Sequence, residues 1–198
     1  MIFLQRPKSA ALERVLERSH TLSYPEVGAT HPDTANVAAQ LRGSPDFLRG
    51  YLTDHHYTYI GHGDALFTRG AQALRDWQMY RLPWLSLYPA LPALVPGTRA
   101  GALARHFGFY SFNPFATVYT LGRPGRVAFA VGTLPGHAVA GEERFMLEQR
   151  PDGSVWFDLL AFSKPAHWLT RAAYPVARQQ QKRFAPGAYR ALQKAVSS

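Results

Sequence analysis

The sequence predicts an α+β fold, a curved antiparallel sheet of about seven strands covered by a long C-terminal helix, with an extra N-terminal helix. Two observations lead there. From Trp84 to Phe162 six segments carry the period-two alternation of strands, with only short turns between them. Beyond them the pattern returns to a helical period and stays amphipathic almost to the end of the chain.

Ser9 is placed to cap a first helix through AALERVLERSH, where Leu12, Val15, Leu16 and Ser19 recur at helical spacing. TLSYPEVGATHPD ends it, and the stretch 23–50 reads as a long ordered loop, a lid over a cavity mouth or ornament. HHYTYIG reads as a strand. Asp64 can cap a helix over 64–77, with Leu66, Phe67, Ala71, Leu74 and Trp77 along one side. WLSLY, TRAGALARHF, NPFATVYTL, RVAFAVGTL, EERFMLEQR and SVWFDLLAF follow as strands. Links that short join antiparallel neighbours, because parallel strands need long crossovers. Ser163 and Pro165 read as the start of a C-terminal helix over 164–196, kinked at Pro175 and divided at Pro186-Gly187. A long sheet curls, and its apolar concave face needs a cover, which the last helix supplies. This is the helix-grip arrangement, here in a single domain over 1–198 with the sheet in 51–163.

Composition removes several functional classes. The 198 residues include no cysteine, which excludes disulfides, thiolate catalysis and cysteine-based metal sites. MIFLQRPKSAALERV lacks the apolar core of a secretory signal, and no uncharged stretch reaches the length of a membrane helix, so a cytoplasmic protein is expected. The net charge of +9 is uneven: residues 77–141 hold five arginines and no acid, and 159–198 hold seven basic residues and no acid. Arg171, Arg178 and Lys182 form a basic helix face. Its plain reading is a solvated surface, and its functional reading is contact with nucleic acid or anionic lipid.

The order of elements resembles the superfamily of START-domain, polyketide-cyclase and birch-pollen-allergen proteins. More specifically, GTLPGH…GEERF, then VWFDLLAFSKP, then PVARQQQ, with YPEVGAT at 24–30, resembles an uncharacterised family of small bacterial and plant proteins. The resemblance covers nearly the whole chain and implies a fold rather than a reaction. Lys164 and Ala116 stand where that family leads one to expect arginines, which implies a weaker grip on any anionic group.

In EERFMLE, alternation puts Glu143 with Phe145 and Leu147 on the apolar face, so Glu143 points inward. A buried carboxylate must pair or take up a proton. Arg105, sharing its strand face with Leu103, is the expected partner. The plain reading is a rim salt bridge, and the functional one a ligand-orienting or general-base carboxylate. His137 lies in the turn before it, a backbone-bonded histidine or a proton shuttle. Gly132, Gly136 and Gly141 read as backbone requirements. His55, His56 and His62 lack metal-site spacing, since adjacent strand residues face opposite ways. No metal and no cofactor is expected.

Tyr59, Arg105, Tyr119, Thr133, Glu143 and Trp156 are the expected ligand-binding residues. The preferred function is binding of a small hydrophobic or amphipathic molecule between sheet and helix, with no catalysis required. The alternatives are a cyclase- or hydratase-like enzyme using Glu143 or His137 as acid/base, and an anionic-surface or nucleic-acid binder using the basic helix. A homodimer through a sheet edge or the first helix is compatible with all three.

Overall fold

A computed structural model describes residues 1–34, 50–166 and 174–197. The elements are β1 (Ile2–Phe3), α1 (Ser9–Glu17), β2 (Leu52–His62), α2 (Asp64–Arg75), a 3-10 turn (Gln78–Tyr80), β3 (Leu85–Tyr88), β4 (Arg99–Arg105), β5 (Tyr110–Arg123), β6 (Arg126–Thr133), β7 (Val139–Gln149), β8 (Ser154–Pro165) and α3 (Tyr174–Ser197). Every pairing is antiparallel. The order across the sheet is β2-β8-β7-β6-β5-β4-β3, with β1 on β5 where β6 has turned away. Strands β3 to β8 form a meander, and β2 closes onto the last of them.

The sheet is covered on both faces. Across the concave face lie α2, the 3-10 turn and α3, closing a core that includes Trp77, Phe129, Phe145, Leu147, Phe157 and Leu192. Ala185, Ala188, Leu192 and Val196 recur every three or four residues, so one face of α3 is buried there. On the convex face α1 lays Leu12, Val15 and Leu16 against Leu103 and Phe112. The Arg99 guanidinium donates to the carbonyls of Leu16 and Ser19 at the helix end, adding a side-chain donor to the backbone N–H groups that already reach Leu16. Beyond α1 the segment 22–34 continues over the same face, seating Tyr24 and Ala29 on Ala140 and Phe162.

Three boundaries differ from the sequence reading. Ser163 and Pro165 belong to β8, where Ser163 pairs with Leu52 and Gly141, rather than to a helix cap. The last strand therefore runs on as the sheet's longest shared ladder with β7, which outweighs the local capping signal. Pro175 is the second residue of α3 as described, and the turn before it, on which the expected kink bears, lies outside the described residues. Pro186 lies inside a continuous helix; it is exposed, and the Lys182 carbonyl it frees is on the solvent side. Buried Gly187 beside it gives room to Leu82, whose Cδ1 would stand 3.1 Å from a Cβ at that position. In α1 the cap position is Lys8, with Ser9 already helical and no side-chain cap bond.

Candidate functional site

Between the concave face and α3 lies a cavity of about 520 Å³. Its apolar wall includes Trp84, Leu85, Phe115, Val131, Leu159 and Phe184. Polar groups on its wall include Asp54 and His56 on β2, Tyr80 on the 3-10 turn, Ser111 and Asn113 on β5, Thr133 at the end of β6, and Glu143 on β7. Small residues make the space. Ala102, Ala104 and Ala161 point inward where larger side chains would fill it.

Glu143 is half-buried by surface area, yet what surface it keeps faces the cavity rather than bulk water. Burial, and then the nearby Asp54 charge, push its carboxyl up to about 8. The Tyr80 hydroxyl donates to it and partly offsets that rise. The same neighbourhood, with burial the larger cause, raises the fully enclosed Tyr80 phenol well above its ordinary range. At neutral pH Glu143 therefore holds a proton much of the time.

His137 lies in the β6–β7 turn, against the cavity wall. Its Nδ1 accepts from the Val139 N–H at 3.1 Å, and burial pulls its pKa down to about 3. The ring is neutral and structural in this setting. His106, also on the wall, is lowered by burial and lies 2.7 Å from the Ser111 hydroxyl.

The sequence-expected binding residues divide between the two faces. Thr133 and Glu143 line the cavity, and Thr133 Oγ1 also accepts from the Gly141 N–H. Arg105 does not meet Glu143. It lies exposed at the end of β4, because the apolar face it shares with Leu103 is the convex one under α1. Tyr59 and Trp156 pair across β2 and β8 on the convex side, their rings meeting edge to face. Tyr119 is on that side too: a bulge between Thr117 and Tyr119 shifts the alternation, so Tyr119 pairs with Ala130 and bonds Thr30 at 3.1 Å. Of the basic helix residues, Lys182 is exposed, while Arg171 and the Arg178 side chain lie outside the described residues.

Sequence reasoning missed Asp54 and Tyr80. Asp54 had a signal, since it shares strand parity with His56 and with the inward row of β8; Tyr80 sits in a 3-10 turn and has no periodicity to read. It also missed a buried polar network on the convex face. Glu142, beside Glu143 but pointing the other way, accepts from Tyr24 Oη (2.6 Å), Gly28 N (2.8 Å), Thr30 N (2.9 Å) and the Thr30 hydroxyl. Arg144 donates to the Thr30 carbonyl at 2.8 Å and to Asp158 at 2.7 Å, and His55 reaches the other Asp158 oxygen at 3.1 Å. This network locks the YPEVGAT segment onto the GEERF and WFDLL strands, so those motifs are joined in space by one set of bonds. His55 and His56 accordingly face opposite sides. Among the described residues no three histidine or acidic side chains are grouped to hold a metal ion, and no helix is long and apolar enough to cross a membrane.

The comparisons agree with this architecture. A UPF0548 protein of Deinococcus radiodurans is 36% identical over 198 residues, covering 93% of each chain. A UPF0548 protein of Arabidopsis thaliana is 29% identical over 208 residues, covering all of both. Among solved structures, a hypothetical protein from Helicobacter pylori superimposes with a TM-score of 0.52 at 11% identity, covering 79% of this chain and 92% of that one. The Zhui aromatase/cyclase from Streptomyces sp. R1128 does so with a TM-score of 0.50 at 10% identity, covering 74% and 94%. Those identities establish a shared helix-grip fold and nothing finer. At the level of sequence, the match of residues 23–191 to the family model places the chain in the family described as a domain of unknown function, DUF1990.

Proposed function

We propose that this protein, acting in the cytoplasm, binds a small hydrophobic or amphipathic molecule in the cavity between the concave sheet and α3. The observation that carries this reading is the cavity's construction. Its volume of about 520 Å³ falls in the range of small-molecule sites, and a mostly apolar wall converges on a few polar groups at Asp54, Tyr80 and Glu143. The surrounding sheet is rigid and covered on both faces, which preorganises the wall. The test compares native and denaturing mass spectra of the purified protein, beside an Ala102→Phe variant that fills the cavity from β4. An extra mass that wild type releases on denaturation, and the variant lacks, supports the reading. Equal retention by the two proteins overturns it.

A second reading, acid/base catalysis by Glu143, is favoured by one observation: its carboxyl is poised at about 8 beside the Tyr80 hydroxyl. It requires Glu143→Gln to stay folded and bind while losing turnover. His137 is a poor acid/base in this setting, being buried, neutral and committed through Nδ1 to Val139.

A further inference from the structure

Three exposed apolar side chains meet at one end of the sheet, beside the β4–β5 hairpin. Phe107, at the hairpin tip, is 105% exposed, Leu4 is 84% exposed and Ile2 68%. They are neighbours because β1 pairs with β5 at Ile2–Ser111 and Phe3–Tyr110, next to the turn, and Leu4 follows directly. Single exposed apolar residues are ordinary on a protein surface, but a group of them marks a contact site.

The turn itself holds Phe107 outward. The His106 N–H donates to the Phe109 carbonyl at 2.8 Å, and the rings of these two residues stack with centroids 4.4 Å apart. Gly108 between them takes φ +87°, which closes the turn at no steric cost. The flanking rings are thus engaged with each other, and Phe107 projects beyond them.

Basic side chains surround the tip. Trp84, Arg105, Phe107 and Arg183 line one shallow hollow, with the Arg183 guanidinium 5.7 Å from the centre of the Trp84 ring. Arg105 and Arg183 are exposed, as are Arg6 and Lys8 in the segment after β1. The stretches that build this rim, 1–8, 81–88, 103–112 and 182–186, contain no aspartate or glutamate. At the far end of the sheet the charges are mixed, as where Arg126 meets Glu148. Of the residues outside the described structure, 167–173 hold no acid, and 35–49 hold Asp46 with Arg42 and Arg49, so they add no net negative charge.

Projecting apolar side chains ringed by arginine and lysine supply the two signals that hold a protein on an anionic bilayer, insertion at the interface and attraction to the headgroups. Half-buried Trp84 between them fits the headgroup level. A second copy of this chain fits less well, because a twofold contact here sets arginine against arginine. Nucleic acid offers phosphates to the arginines and a stacking face to Phe107, but nothing to Ile2 and Leu4.

We propose that this end of the protein docks on an anionic lipid bilayer, with Phe107, Leu4 and Ile2 entering the interface and Arg105, Arg183, Arg6 and Lys8 meeting the headgroups. The surface is centred on the hairpin and is distinct from the helix face of Arg171, Arg178 and Lys182. Docking goes beyond the binding reading and stands without it. Ile2, His106 and Phe109 also line the cavity, so docking sets that part of its wall against the membrane.

The test is co-sedimentation of the full chain with vesicles of phosphatidylcholine, with and without about 30 mol% phosphatidylserine. Binding is expected to be about tenfold or more stronger with phosphatidylserine, and to fall about tenfold in high salt. Phe107→Ser should weaken it about fivefold or more, and Arg105→Ser combined with Arg183→Ser about tenfold. Leu91 is 60% exposed in the β3–β4 loop, at the other end of those strands, and Leu91→Ser should bind as wild type does. The chain has no cysteine, so Phe107→Cys and Leu91→Cys each accept a single environment-sensitive fluorophore. On vesicles the label at 107 should shift to the blue and the label at 91 should not. Equal binding to both vesicle types, no binding at low salt, undiminished binding by Phe107→Ser, or matching blue shifts at the two labels overturns the proposal. So does a solution dimer that Phe107→Ser dissociates, or single-stranded RNA that binds as tightly as the vesicles and depends equally on Phe107. None of these outcomes touches the cavity reading, which the mass comparison with Ala102→Phe tests by itself.

Discussion

Glu142 and Glu143 are neighbours in the chain with opposite circumstances, and strand alternation is the whole cause. Glu142 is buried among four donors and pins the segment 24–30. Glu142→Ala leaves buried backbone N–H groups and the Tyr24 hydroxyl without their acceptor, and should cost about 3–5 kcal/mol. Urea denaturation measures the loss, and limited proteolysis should show cleavage within 22–34 that wild type resists. Glu143 behaves in the other direction. Its folded pKa of about 8 lies above the ordinary 4.5, so the folded state binds the extra proton between those values. Stability then falls as pH rises through that window, being fully present below it. Glu143→Gln should flatten this dependence and stabilise the protein near pH 8. The gain should be on the order of 1–2 kcal/mol, since the cavity admits solvent that screens the charge. A thermal-melting series from pH 4.5 to 9 tests the slope; an unchanged slope in the variant refutes the assignment.

At the scale of elements, the glycines divide into those held by close approach and those in open space. At Gly141 a Cβ would lie 1.9 Å from the Phe162 carbonyl oxygen, which is backbone and cannot step aside. At Gly132 it would lie 2.3 Å from the Tyr24 hydroxyl that bonds Glu142. At Gly122 nothing stands within 4 Å. Gly141→Ala should therefore lose about 3 kcal/mol or more, or fail to fold, whereas Gly122→Ala should be neutral within about 0.5 kcal/mol, by denaturation. The existence of the strands was legible because period-two alternation and Pro-Gly turns are local signals. The end of β8 and the start of α3 were not, because Ser163 and Pro165 suit a helix start locally and only the ladder with β2 and β7 makes them strand. The bulge that turns Tyr119 outward has no sequence mark either; it follows from how β5 and β6 pair.

For the whole molecule, the decisive feature is that the sheet has an apolar layer on each side. Alternation separated the two faces along β7 and put Glu143 on the one that lines the cavity. It could not say which apolar face belonged to α3 and which to α1 and the segment 22–34. Arg105 shares a strand face with Leu103, an apolar residue, but Leu103 packs under α1. The loop read as either a lid or ornament shows the same ambiguity. Its described part, residues 24–34, covers the convex face, and residues 35–49 lie outside the described structure. A cavity enclosed by the assembled fold couples ligand to global stability. An occupant at a hundred times its dissociation constant should add about 2.7 kcal/mol, or roughly 5–10 °C in Tm for a chain of this size. In Ala102→Phe the same addition should leave Tm unmoved.

The sequence by itself determined the helix-grip class, the six-strand meander, the inward face of Glu143 and the family, because each rests on local periodicity or on residues adjacent along the chain. Tertiary structure decided which residues share the cavity. Asp54 and Glu143 are brought into one row by β8 lying between strands far apart in sequence, and Tyr80 reaches them from across the chamber. Such convergence depends on strand order and on which layer covers which face, and neither is a property of any single segment.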